Sequence, residues 1–154
     1  MGYTHYWKRG AGSFEAAAWK ALCKDAAAII GEAGKASIWL AYESDRPATP
    51  ADVTAEIIRF NGVGEEGHET FAFTRAADEE WIGKDGTEFS FCKTARKPYD
   101  APVCAVLIAA KHHLGKAIRV SSDGEWSEEG WREGARLYAR ATGRKAACPL
   151  DGEG

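Results

Sequence analysis

The chain has no C-x-x-C pair, no H-x-x-x-H pair and no D-x-D, so neither a zinc knuckle nor a paired-ligand metal centre is written into it. Its four cysteines, Cys23, Cys92, Cys104 and Cys148, are scattered, and Cys104 falls in an apolar helical run, which speaks against a disulfide framework. There is no glycine-rich G-K-[ST] loop, which excludes a P-loop. No stretch approaches the ~20 apolar residues that cross a bilayer, and no basic-then-apolar leader opens the chain, so the cytoplasm is the expected location. An excess of positive charge is also missing. With 20 basic and 23 acidic residues the formal charge is -3, which excludes broad, salt-driven binding of extended nucleic acid. Internal repeats and low-complexity tracts are absent too. Neither a cofactor nor a metal is called for.

What is present suits one domain. A chain of 154 residues hides about 68 to 70% of its unfolded surface. Residues 2–7 alternate, with Tyr3, His5 and Trp7 on one side and Thr4 and Tyr6 on the other, and read as a strand. Ser13 is positioned to cap a helix in which Phe14, Ala18, Leu22, Ala26 and Ile29 recur at helical spacing. Strand patterns follow at 37–42 and 53–60. The cluster Gly62, Gly64 and Gly67 then turns the chain into 68–74, giving a hairpin. Segments 43–50 and 76–86 are polar and punctuated by turn formers. Residues 87–92 read as a strand, and 101–114 as a core helix closed by Lys111, His112, His113 and Gly115. A short strand at 117–120, a turn at 121–124 and a helix at 126–142 complete the order. The expectation is an α+β domain over 1–143, a mostly antiparallel sheet packed on one face by about three helices, with 144–154 as a flexible tail.

Chemistry concentrates in Phe89–Asp100, where an alternating strand empties into a loop carrying Lys93, Arg96 and Lys97 before the core helix starts. Unpaired amides near Tyr99 to Ala101, together with three cations, predict a phosphate or carboxylate site. A plain basic turn is the competing reading, and Asp100 favours it, because a capping carboxylate would occupy those amides. His68 leaves the glycine loop as either an acid-base group or the closing residue of a turn. His5, between Tyr3 and Trp7, offers imidazole chemistry, a stacking platform or core packing. Cys92 beside Lys93 lacks a Cys-His signature and reads as a structural thiol. Adjacent His112 and His113 diverge on a helix and read as compensation of the helix end rather than as ligands.

Three stretches, Gly2–Trp7, Arg59–Gly62 with Gly67–Phe71, and Phe91–Asp100, resemble a family of small proteins of tailed phages and prophage-bearing bacteria that is uncharacterised in activity. The resemblance runs from the first strand to the turn Val120–Gly124. It implies an accessory phage protein in the host bacterial cytoplasm, a setting in which phage proteins bind or cleave nucleotide signals of host defence. The expected function is capture of a phosphorylated, nucleotide-like ligand. Lys93, Arg96 and Lys97 would hold phosphate, Tyr3, Trp7 or Tyr99 would stack on the base, and Asn61 and His68 would orient it. The alternative is a metal-independent phosphodiesterase in which His5 and His68 exchange protons. A further alternative is an inhibitor that binds a host protein through 43–50 and 76–86. Assembly as a homo-oligomer is left open.

Overall fold

A computed structural model describes residues 2–151. The order is β1 (Thr4–Gly10), α1 (Ala16–Lys35), β2 (Leu40–Ala41), β3 (Asp52–Val53), β4 (Ile57–Gly62), β5 (Phe71–Thr74), β6 (Thr87–Lys93), α2 (Asp100–Leu114), β7 (Ile118–Ser122) and α3 (Glu129–Thr142). The fold is α+β, with three helices and mostly antiparallel strands that divide between two sheets. In the first sheet β1 is central, with β6 on one side and β7 on the other, both antiparallel to it. In the second, β4 is central and pairs with β2, β3 and β5.

The period-2 pattern of β1 turns His5, Trp7 and Arg9 inward and leaves Lys8 exposed. Trp7 enters an aromatic cluster with Phe14, Trp19, Phe60, Phe71 and Phe73, whose neighbouring rings lie 5.1 to 6.5 Å apart, the spacing of tilted and offset-stacked pairs. Arg9, only 4% exposed, ties the sheets together. Its guanidinium donates to the carbonyls of Gly12, Thr74 and Arg75 at 3.0, 2.6 and 2.7 Å and lies 3.8 Å from the centre of the Phe14 ring.

The run Pro102–Ala110 is buried throughout, so α2 forms the middle of the core, flanked by α1 and α3. It stops at Gly115, whose φ of +54° is cheap only for glycine. The cap of α1 falls on Glu15 rather than on Ser13. The Glu15 carboxylate reaches the amides of Ala17 and Ala18, while Ser13 forms a bridge with Ala76. The strand expected over 37–42 is short, 40–41, because Ser37 takes a φ of +61° after the helix end. Strand β5 begins at Phe71, and α3 begins at Glu129 rather than at 126.

The expected flexible tail is packed as far as Asp151. Leu150 is buried and pairs with Val120. Asp151 caps the edge of β7, accepting from the Val120 amide at 2.8 Å and pairing with Lys111 at 3.0 Å. Its own amide donates to the Val120 carbonyl. Hydrophobic burial and an edge pairing outweigh the entropy of that segment, which composition alone does not reveal. Residues 152–154 of the expected tail lie outside the described residues. No helix among the described residues is long and apolar enough to cross a membrane.

Candidate functional site

The most polar part of the interior lies where β1, β7 and the starts of α2 and α3 meet. His5, fully buried, extends from β1 with both ring nitrogens engaged: Nδ1 lies 2.8 Å from Ser122 Oγ and Nε2 lies 2.7 Å from Asp100 Oδ1. Ser122 Oγ also accepts from the Gly124 amide at 3.0 Å and from Trp131 Nε1 at 3.2 Å. A hydroxyl has two acceptor sites and one proton, so with both sites filled its proton goes to Nδ1. His5 is therefore held as the tautomer with its proton on Nε2, and it donates to Asp100. Asp100 Oδ1 accepts a second bond from Thr94 Oγ1 at 2.6 Å. The carboxylate expected to cap α2 instead turns inward and joins β1 to the helix. Tyr3 and Trp131 meet the imidazole edge-on at centroid distances of 5.1 and 5.0 Å.

His5, Asp100 and Cys104 also satisfy the donor chemistry of a metal site, since their ligating atoms lie within 4.8 Å of one another. The proton count decides against it. A metal on Nε2 would force a proton onto Nδ1, and Ser122 Oγ would then face three donors with two acceptor sites. Burial, and after it the charge of Asp100, holds the Cys104 thiol well above the usual range.

Directly above this core sits the turn Thr94–Lys97, closed by the Lys97 amide donating to the Thr94 carbonyl at 3.1 Å. Both central residues are left-handed without being glycine, Ala95 at φ +54° and Arg96 at φ +60°. Mirror-image turns of this kind ordinarily carry Asn-Gly or Asp-Gly. The amides of Thr94 and Ala95, both donating to the Tyr3 carbonyl, and the Thr94 hydroxyl on Asp100 hold the turn in place. The result lays the Arg96 guanidinium on the Tyr3 ring, 3.9 Å from its centroid. Tyr3 is 1% exposed, and its hydroxyl has no hydrogen-bond partner among the described residues. Burial, reinforced by Asp100, pushes its ionisation upward. The bare backbone of Gly130 admits this arrangement, because a Cβ there would stand 2.5 Å from Asp100 Oδ2 and 3.2 Å from the Tyr3 hydroxyl.

Beside the turn, between the starts of α2 and α3, lies a hollow of about 290 Å³ lined by Arg96, Lys97, Asp100, Glu129, Gly130 and Glu133, together with Pro98 and Ala101. The helix start offers it little. The Asp100 amide is taken by the Lys97 carbonyl, Pro102 has no N–H, and the Val103 amide returns to Tyr99, which leaves Ala101. The charge there comes from side chains of both signs.

The structure brings Tyr3, His5, Arg96 and Lys97 into this region and distributes the other expected residues elsewhere. Trp7 is spent in the aromatic core. Tyr99 is fully buried, its hydroxyl donating to the Glu69 carbonyl at 2.5 Å, so it presents no face for stacking. Asn61 is buried with all its amide bonding satisfied: it donates to the His68 carbonyl and Thr70 Oγ1, and accepts from the amides of Gly62 and His68. It shapes the glycine loop. His68 is exposed on that loop. Lys93 uses its backbone to join Glu69, whose carboxylate accepts its amide at 2.8 Å. Cys92 is a buried thiol pushed up to about 12 by burial, which suits a structural role. His113 pairs with Asp25 of α1 at 2.6 Å, a bond that Arg144 shares. Sequence reasoning missed Thr94, Cys104, Ser122, Gly130 and Trp131: Cys104, Ser122 and Trp131 meet His5 across most of the chain, Gly130 acts through the absence of a side chain, and Thr94 acts on Asp100 within the one run, Thr94–Asp100, that carried a local signal.

Comparison with protein-family models, with curated proteins and with solved structures finds no match to this chain.

Proposed function

We propose that the protein binds a small phosphorylated, nucleotide-like ligand in the hollow between the starts of α2 and α3. The observation that carries this reading is the strained turn. Two adjacent non-glycine residues at positive φ, each costing on the order of 1 to 2 kcal/mol, set where Arg96 sits, over the Tyr3 ring. Arg96 and Lys97 supply a planar fork and a mobile point charge for phosphate. Glu129 and Glu133 on the opposite wall each give one oxygen to Arg136 and keep the other for amino or hydroxyl groups, so the mixed lining favours a ligand that is anionic at one end and hydrogen-bond donating at the other. Tyr3 supports Arg96 from below rather than stacking on a base. Cleavage by paired histidines finds no support, since both ring nitrogens of His5 are committed inside the core. In the setting implied by the phage resemblance, such a protein would sequester a nucleotide signal in the host cytoplasm.

Calorimetric titration with a cyclic dinucleotide, ADP-ribose and mononucleotides tests the reading. At least one is expected to bind, with Arg96→Ala weakening it by about tenfold or more, the scale of a lost charge-assisted contact. Absence of heat with every compound, or equal affinity in Arg96→Ala, refutes it.

A further inference from the structure

The two sheets approach each other along β5 and β6 without pairing. In an antiparallel ladder, alternate residues exchange both backbone bonds with one neighbour and turn both groups away from it. The Arg75 amide donates to the Glu56 carbonyl, in register with Ile57 opposite Thr74, so Phe71 and Phe73 bond to β4 and Ala72 faces outward. The Thr94 amide donates to the Tyr3 carbonyl, in register with Thr4 opposite Lys93. Glu88, Ser90 and Cys92 therefore bond to β1, and Phe89 and Phe91 face outward. At one end the gap is closed where the Glu69 amide meets the Lys93 carbonyl, and at the other the Glu88 carboxylate spans it to the Asp78 amide. On the β6 side the antiparallel bridge of Ile82 to Glu88, with the Gly83 amide on the Thr87 carbonyl, covers the edge as far as the Phe89 amide; beyond it the Phe89 carbonyl and the outward N–H and C=O groups of Phe91 and Ala72 have no partner among the described residues. They border a groove of about 430 Å³ whose walls include Thr70, Ala72, Trp81, Phe89 and Phe91.

Exposed strand edges are ordinarily blunted by charge, proline or a covering segment. From Phe89 to Cys92 strand β6 has none of these. It carries instead two phenylalanines that are 51% and 54% exposed, beside Trp81 at 71%. Tyr6 extends the same surface, stacked on Phe89 at 5.7 Å. The lip next to Trp81 is acidic, with Asp78, Glu79 and Glu80 all exposed. That charge repels a nucleic-acid backbone and attracts a basic side chain, for which the Trp81 face offers a cation–π contact.

We infer that this groove receives an extended peptide segment of a partner protein, which adds as an antiparallel strand to the free edge of β6. The segment bonds to the Phe89 carbonyl and to the backbone of Phe91, alternates apolar side chains over the exposed rings, and ends in lysine or arginine at the acidic lip. This surface is separate from the hollow beside Arg96, and neither proposal depends on the other.

The test uses the full chain and the peptide acetyl-Val-Thr-Val-Thr-Val-Lys-Lys-amide. Binding is expected to slow amide hydrogen exchange at Phe91 by about tenfold or more, as for any amide drawn into a ladder. N-methylation of alternate peptide amides, which removes donors while keeping the side chains, should weaken binding by about tenfold or more. Replacing the two lysines with glutamates should also weaken it. Phe89→Ser and Phe91→Ser, both at exposed positions, should lower affinity without altering the circular dichroism spectrum. Equal binding of the N-methylated peptide overturns the inference, as does unchanged exchange at Phe91 under saturating peptide. So does protection of the Phe91 amide by the protein's own dimerisation, read from the concentration dependence of sedimentation, or by oligo(dT) in place of peptide.

Discussion

At Ala95 a methyl group occupies a conformation that glycine adopts at no steric cost. The φ of +54° there, followed by +60° at Arg96, costs on the order of 1 to 2 kcal/mol per residue. Glycine at position 95 would remove that strain but widen the unfolded ensemble, which offsets about 0.5 to 1 kcal/mol. Ala95→Gly is therefore expected to raise stability by about 0.5 to 1 kcal/mol in urea unfolding. It should also loosen the placement of Arg96 and weaken nucleotide binding, so that stability and affinity move in opposite directions. A destabilised Ala95→Gly would show that the turn is not strained. The neighbouring Asp100 illustrates the limit of local reading. Its position at a helix start was legible, and a cap was the natural assignment. Only the fold, which brings His5 and Thr94 to 2.7 and 2.6 Å from Oδ1, turns the carboxylate inward.

Elements whose signal is periodic could be read from the chain. The apolar run at 101–114, the spacing of Phe14 to Ile29 and the alternation of 2–7 and 87–92 each emerge as α2, α1, β1 and β6, because burial of a continuous face is what makes those patterns. The division into two sheets was not legible, since the joint is made by Arg9 across 65 and 66 residues of sequence. Of the candidate site, the basic turn was legible and its buried partners were not. The last segment escaped for a similar reason: a short polar stretch is held by one buried leucine and one aspartate. Asp151 accepts from Lys111 and from the Val120 amide, so Asp151→Ala should leave the edge of β7 uncapped and Lys111 unpaired. A loss of about 1 to 3 kcal/mol is expected, the range for hydrogen bonds to a charged group. Chemical unfolding measures it, and hydrogen exchange at Val120 should accelerate in parallel. An unchanged midpoint would return residues 144–151 to the status of a loose tail.

For the molecule as a whole, the buried acidic protons share one direction. The Cys92 thiol is pushed by burial from an ordinary 9.0 up to about 12. Burial, followed by Asp100, raises Cys104, and burial raises the Tyr3 and Tyr99 hydroxyls. Each group keeps its proton in the folded state at a pH where the unfolded chain releases it. The folded state then binds more protons, so stability falls as pH rises. The stability these neutral groups confer is complete below about pH 9 and is lost progressively above it, through the range in which Cys92 itself finally ionises. Each thiol ionised only in the unfolded chain contributes a slope of about 1.4 kcal/mol per pH unit. Urea midpoints are therefore expected to hold steady between about pH 7 and 8.5 and to decline from about pH 9. Replacing both thiols, Cys92→Ala with Cys104→Ala, should flatten that decline even as it lowers stability at neutral pH through lost packing. A decline of equal slope in the doubly substituted protein would assign the alkaline loss to lysines or tyrosines and remove the thiols from the account.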